Sequence, residues 1–164
     1  MYPDCPVAKL ISGGQTGVDR AALTVALFLE IPHGGWCPRG RRAEDGIIPT
    51  VYQMRETQET DYAARTERNV KEGDGTLILY RQRLTSGTAL TNRLLKKHRR
   101  PVLLVDLAKE HSYQSVRDWL AAHGIQVLNV AGPRESSAPG ITMETEQFLL
   151  NVFQGIPDAG EIGN

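Results

Sequence analysis

Two hydrophobic rhythms alternate along the chain. Short unbroken apolar runs, each ending in a turn of small or polar residues, read as strands buried on both faces, and longer stretches with apolar residues three and four apart read as helices. The first strand is Leu10 and Ile11, followed by GGQTG and a helix over Val18 to Glu30 that is apolar round most of its circumference. Pro32 stops that helix, and HGGWC (33 to 37) reads as a second short strand. The polar stretch PRGRRAEDGIIP, broken by Gly40, Gly46 and Pro49, reads as a loop. From Gln58 to Glu72, Tyr62, Ala63, Thr66 and Val70 keep helical spacing and leave Arg65 and Asn69 together on an adjoining face. DGTLILY (74 to 80) is a strand, and Ser86, Gly87 and Thr88 open a helix carrying Leu90, Leu94 and Leu95. PVLLVDL (101 to 107) is the clearest buried strand; Ser112 caps a helix from Tyr113 to His123, and Gly124 ends it. IQVLNV (125 to 130) is a last strand running into AGPRESSAPG, and Thr142 to Phe153 is the closing helix.

Strands alternating with helices predict an α/β domain with a mostly parallel sheet flanked by helices on both sides. With no linker or repeat to divide it, the chain of 164 residues reads as one domain over 1–156, with a disordered tail over 157–164. The apolar circumference of the first helix requires cover, from other helices or from another subunit.

Composition narrows the function classes. Basic and acidic residues balance at 19 each, so no charged footprint for nucleic acid or an anionic membrane is expected, and any anion site must be local. Two cysteines, Cys5 and Cys37, without a leader or a long apolar run, predict a cytoplasmic protein with free thiols. His33, His98, His111 and His123 are scattered without zinc-site spacing, so no directly coordinated metal is expected.

The candidate chemistry sits in the turns. GGxTGxD is neither the dinucleotide fingerprint nor the P-loop, yet a helix opening after such a turn aims unpaired N–H groups and a positive dipole end at an anion. Gly13, Gly14 and Gly17 would let a ligand approach the backbone, Gln15 and Thr16 could donate to a phosphate or ribose, and Asp19 could bind a ribose hydroxyl or complement the dipole. In a parallel sheet the turns GGQTG, TSGT and AGPRES all emerge at one edge, where ligands of such folds sit. Arg41 and Arg42 belong to a charged loop that is either solvated surface or a guanidinium clamp over the first turn.

ISGGQTGVDRAAL, PHGGWCPRGRRAEDG, DYAARTERNV, DGTLI, SGTALT and NVAGPRES together resemble the molybdenum carrier proteins, a circularly permuted branch of the YpsA-like SLOG superfamily. The resemblance implies a single Rossmann-like three-layer domain related to the lysine-decarboxylase-named proteins. It also implies a small phosphorylated, nucleotide-like ligand, with the molybdenum cofactor as suggested cargo, and assembly as a homodimer or homotetramer. Carried onto this chain, the ligand-binding residues are Gly13, Gly14, Gln15, Thr16, Gly17 and Asp19, then Ser86, Gly87 and Thr88, then Gly132, Pro133 and Arg134, with Arg41 and Arg42 as further candidates. The enzymatic relatives, phosphoribohydrolases, carry a glutamate in the second turn where this chain has Thr91. That loss implies a binding protein; the alternative is a nucleotide hydrolase in which Asp19, Glu44, Asp45 or Glu135 takes the missing carboxylate's place.

Overall fold

Five of the apolar runs join in one parallel sheet. The computed structural model describes residues 4–160. In chain order the elements are β1 (Lys9–Ile11), α1 (Val18–Phe28), β2 (His33–Gly34), β3 (Trp36–Cys37), β4 (Arg42–Ala43), β5 (Gly46–Ile47) and β6 (Arg55–Glu56). There follow α2 (Tyr62–Glu72), β7 (Gly75–Tyr80), α3 (Ser86–Lys97), β8 (Val102–Asp106), α4 (Tyr113–Ala122), β9 (Val127–Ala131) and α5 (Ile141–Phe153). The main sheet has the order β2-β1-β9-β7-β8, with every pairing parallel. From β1 the chain moves outward to β2, and from β7 it moves outward the other way to β8, while β9 returns to lie between β1 and β7. The turns after β1, β9 and β7 therefore meet at the carboxyl edge where the winding reverses.

Helices α1, α4 and α5 cover one face of the sheet, where Val18, Val25 and Ala26 of α1 and Phe148, Leu149 and Val152 of α5 meet Leu10, Leu77 and Leu128. On the other face α2 and α3 pack over a smaller cluster of Val70, Ile78 and Leu95. The apolar circumference of α1 is largely covered by the chain itself, since Ala21, Ala22, Leu23, Val25 and Ala26 are buried and α5 lies against the helix. Only its last residues, Leu27 and Phe28, reach the surface. The helix therefore supplies no argument for a second subunit.

Three expectations change in detail. The strand expected over residues 33 to 37 is broken at Gly35, whose φ is 127° and whose missing Cβ would lie 2.1 Å from the Ser12 carbonyl oxygen. Trp36 and Cys37 thus leave the main sheet and pair with β6, and the charged loop after them folds back as the β4–β5 hairpin. Helix α2 starts at Tyr62, the first residue of its apolar spacing, and not at Gln58, because Asp61 caps it by accepting from the Ala64 N–H at 2.8 Å. Within the stretch expected as a tail, Asp158 accepts from the Ser112 hydroxyl (2.5 Å) and the Tyr113 N–H (2.6 Å) at the start of α4. Residues 161–164 lie outside the described residues.

Candidate functional site

At the reversal point the three turns and α2 enclose a cleft of about 430 Å³. From the first turn it is lined by Gly13, Gln15 and Asp19; from the turn into α3 by Ser86, Gly87 and Thr88; and from the turn after β9 by Gly132, Pro133 and Arg134. Tyr62, Arg65 and Thr66 of α2 form the facing wall, and Thr91 and Asn129 also line it. Gly14, Thr16, Gly17, Arg41 and Arg42 do not line it.

The first turn is held by its own bonds and by its neighbour. The Ser12 hydroxyl donates to the Asp19 carbonyl at 2.8 Å, and the Gln15 N–H donates to the Asp19 carboxylate at 3.3 Å. Gly17 has φ 78°, and a Cβ there would lie 2.3 Å from the Pro133 carbonyl oxygen; that same oxygen accepts the Val18 N–H at 3.2 Å. The start of α1, where the sequence places an anion, is thus occupied in part by the turn after β9. Gly132 answers a similar need, since a Cβ there would lie 2.2 Å from the Leu79 carbonyl oxygen. These two glycines let strands and turns approach one another.

The charged hairpin is a strap whose carboxylates do the holding. The Glu44 carboxylate accepts from the Thr16 hydroxyl, from the Ser136 hydroxyl at 2.5 Å and from the Ser136 N–H at 3.2 Å, and the Glu44 N–H donates to Gln15 Oε1 at 2.8 Å. Asp45 receives both terminal nitrogens of Arg20 at 2.9 and 3.1 Å. Arg41 donates to the carbonyls of Ile48, Pro49 and Tyr52 and so builds the strap rather than a clamp. Arg42 is exposed.

Four carboxylates stood as stand-ins for the glutamate missing at Thr91, and each is already engaged. Burial raises the pKa of Glu44, but the bonds from Ser136 and Thr16 and the charge of Arg134 outweigh it and hold the carboxyl below its ordinary range. Glu135 behaves alike: burial raises it, and bonds from Thr142 and Gly140 lower it further. Asp45 is lowered chiefly by its bonds from Arg20. Asp19 lines the cleft but is nearly enclosed, with 6 % of its side chain exposed, and it is paired with Arg65 at 2.9 Å. There burial wins over the Arg65 charge and raises its pKa. Thr91 itself donates to the Gly87 carbonyl at 3.2 Å.

The second turn is different. Thr85 precedes α3 in an extended conformation and its hydroxyl meets that of Thr88, so no side chain caps the helix. The first N–H groups of a helix have no intrahelical partner, and here none is supplied from a cap. Gly87 has an ordinary φ, and a Cβ there would meet nothing within 4 Å. Neither crowding nor backbone conformation within the chain calls for glycine at 87. In the same cleft, Tyr62 has two guanidiniums at its ring, Arg65 Cζ and Arg134 Cζ each 5.5 Å from the centroid, within cation–π range.

The circularly permutated YpsA SLOG family model matches residues 10–153. The chain belongs to this SLOG family. A solved structure from Syntrophus aciditrophicus SB, of a protein named putative molybdenum carrier protein, is 44 % identical to it, covers 91 % of this chain and 96 % of that one, and superposes with a TM-score of 0.87. Comparison with curated proteins gave no match. What sequence reading did not supply for this SLOG domain is the α2 wall. Its signal was the pair Arg65 and Asn69, of which Asn69 proves structural: its amide takes the Trp36 N–H and donates to the Trp36 carbonyl. Among the described residues no group of three or more His, Cys, Asp or Glu is placed to hold a metal, and no helix is long and apolar enough to cross a membrane.

Proposed function

We infer that the cleft binds a small phosphorylated, nucleotide-like ligand without transforming it, the phosphate seated on the uncapped start of α3 and the planar part beside Tyr62. The observation that carries this is Gly87: a glycine in the first helical turn, facing open space, serves a ligand that must reach the N–H groups beneath. Arg134, its side chain 39 % exposed and only 3.8 Å from Glu44, has guanidinium hydrogens left for the phosphate. Against a hydrolase stands the engagement of every candidate carboxylate within the fold.

The name of the Syntrophus protein supports a carrier role, with the molybdenum cofactor as cargo. Such a cargo brings its metal already chelated by a pterin that bears a phosphate, and so asks of the protein a phosphate seat and room for a heterocycle. A cleft of about 430 Å³ lies within the usual range of small-molecule sites. The free thiols Cys5 and Cys37 support a cytoplasmic setting. Assembly as a homodimer or homotetramer remains our expectation from the family, and light scattering that returns a monomer refutes it.

The reading is tested by thermal melts with AMP, GMP, ADP-ribose, NAD and molybdopterin species. A ligand at about 100 times its dissociation constant stabilises the fold by about 2.7 kcal/mol. Gly87→Val, whose Cβ meets nothing of the chain within 4 Å, abolishes that shift. If no compound shifts the wild type, or if the valine variant binds as well, the reading fails.

A further inference from the structure

The floor of the cleft is polar where the middle of a parallel sheet is usually apolar. Asn129 of β9 and Thr76 of β7 are register partners, and Asn129 Nδ2 donates to the Thr76 hydroxyl oxygen at 3.1 Å. That bond settles which way the amide faces. Its Oδ1 takes no hydrogen bond from the protein, yet it is not sealed from solvent, and the cleft is the space that Asn129 lines. Two threonines of the same cleft flank this oxygen. Helices α2 and α3 both start at the carboxyl edge, so Thr66 lies one turn deeper than Tyr62, and Thr91 one turn deeper than Gly87. The Thr66 hydroxyl donates back to the Tyr62 carbonyl at 2.7 Å, and the Thr91 hydroxyl to the Gly87 carbonyl at 3.2 Å. Each has thereby spent its one proton and keeps lone pairs. The inner end of the cleft thus offers acceptors, whereas its mouth offers donors, the first N–H groups of α3 and the Arg134 guanidinium.

We propose that Asn129, with Thr66 and Thr91 beside it, selects the heterocycle of the ligand: the inner end of the cleft accepts an exocyclic amino group and rejects a ring that turns a carbonyl to it. The proposal rests on the reading that the phosphate sits on α3 and the planar part beside Tyr62, since a ligand so held points the far edge of its ring inward. A carbonyl oxygen set against these oxygens pairs with none of them, and both sides forfeit the bonds they made with water. An amino group satisfies the Asn129 oxygen instead. The ring is either adenine-like or guanine-like at that edge, and the two are separable by experiment.

Titration calorimetry with AMP, GMP, inosine 5′-monophosphate and ribose 5-phosphate tests it. AMP carries an amino group where the inosine compound has a carbonyl, and GMP adds one that the inosine compound lacks. Wild-type protein binds AMP or GMP about tenfold or more tightly than the inosine compound. Which of the two gains tells the adenine-like from the guanine-like edge. In Asn129→Leu, which keeps the bulk and loses the acceptor, the preference disappears. The double variant Thr66→Val, Thr91→Val keeps both shapes and weakens the preference, and it decides the matter if the leucine variant does not melt cooperatively. If the inosine compound equals or exceeds both others in the wild type, the proposal is wrong. It is equally wrong if the preference survives undiminished in the folded leucine variant or, failing that, in the double variant. In each of these cases binding of ribose 5-phosphate shows that the phosphate seat on α3 stands. If ribose 5-phosphate and all three nucleotides fail to bind, the seat falls and the selection with it.

Discussion

Removing the Glu44 carboxylate should loosen the strap that ties the first turn to the third. In Glu44→Ala the Thr16 and Ser136 hydroxyls and the Ser136 N–H lose a shared charged acceptor. A hydrogen bond to a charged group contributes about 1.5 to 3 kcal/mol. The Glu44 side chain is 20 % exposed, so the freed hydroxyls can hydrate, and a net loss of about 2 to 4 kcal/mol is expected for the set. For a domain of this size each kcal/mol moves the melting temperature by about 2 to 4 °C, which gives a fall of roughly 4 to 16 °C at pH 7. The sign of the pH dependence follows from the lowered pKa. A carboxylate held below its ordinary value of 4.5 contributes fully above that value and loses its contribution as pH falls through the folded pKa. Melts followed by circular dichroism should show a constant gap between wild type and variant from pH 7 to about 5.5, closing on further acidification. Hydrogen exchange adds a local readout, since the Ser136 amide should exchange faster in the variant. A gap that ignores pH, or a Ser136 amide equally protected in both proteins, would refute the strap.

Further outcomes follow from the same geometry. Gly132→Ala should destabilise the fold by about 1 to 3 kcal/mol, since its methyl meets the Leu79 carbonyl and Val18, whereas Gly87→Ala should leave it unchanged or raise it by about 0.5 to 1 kcal/mol; urea melts of the pair that do not differ would contradict the contrast. Arg134→Ala should weaken ligand affinity by about 1 to 2 kcal/mol, reduced from the full charged-bond value because the side chain is 39 % exposed, with little change in melting temperature; calorimetry would show it. Asp158→Ala should take the acceptor from the Tyr113 N–H and the Ser112 hydroxyl, leave the Ser112 cap of α4 in place, and free the segment after Phe153, read as new proteolytic cleavage around residues 154–160. Bonds from Ser112 hold the Asp158 carboxyl below its ordinary value, so that protection should be complete above pH 4 and fade below it.

The parallel sheet was legible because an apolar run such as LILY is buried on both faces, and the turns after such runs then share one edge; VLLV, expected to be the clearest buried strand, instead lies at the side of the sheet with Leu104 39 % exposed, because a continuous apolar run does not tell a central strand from an edge strand. Ser86, Gly87, Thr88 and Arg134 could be placed at that shared edge for that reason, and there they line the cleft. Glycine reports close approach without saying what approaches: at Gly17 and Gly132 it is backbone of the same chain, and at Gly87 nothing in the chain. The strap reversed its expected roles, since Arg41 turned inward to three carbonyls while Glu44 crossed to the far turns. Which member of a mixed-charge loop reaches across depends on a hairpin too short to show in the hydrophobic pattern. Arg65 was visible only as half of a helical pair, because a side chain 46 residues from Asp19 has no local signature of the contact.

The place of β9 has a kinetic side. This strand is the last of the sheet to leave the ribosome, yet it lies in the middle, between β1 and β7. Until residues 127–131 are available, the β2–β1 half and the β7–β8 half each present an unpaired apolar edge, and no strand pairing joins them. Pairings this distant along the chain slow folding and prolong the exposure of sticky intermediates. The nascent chain should therefore depend on chaperones until late in synthesis, and a truncation before Val127 should yield aggregates rather than a half domain.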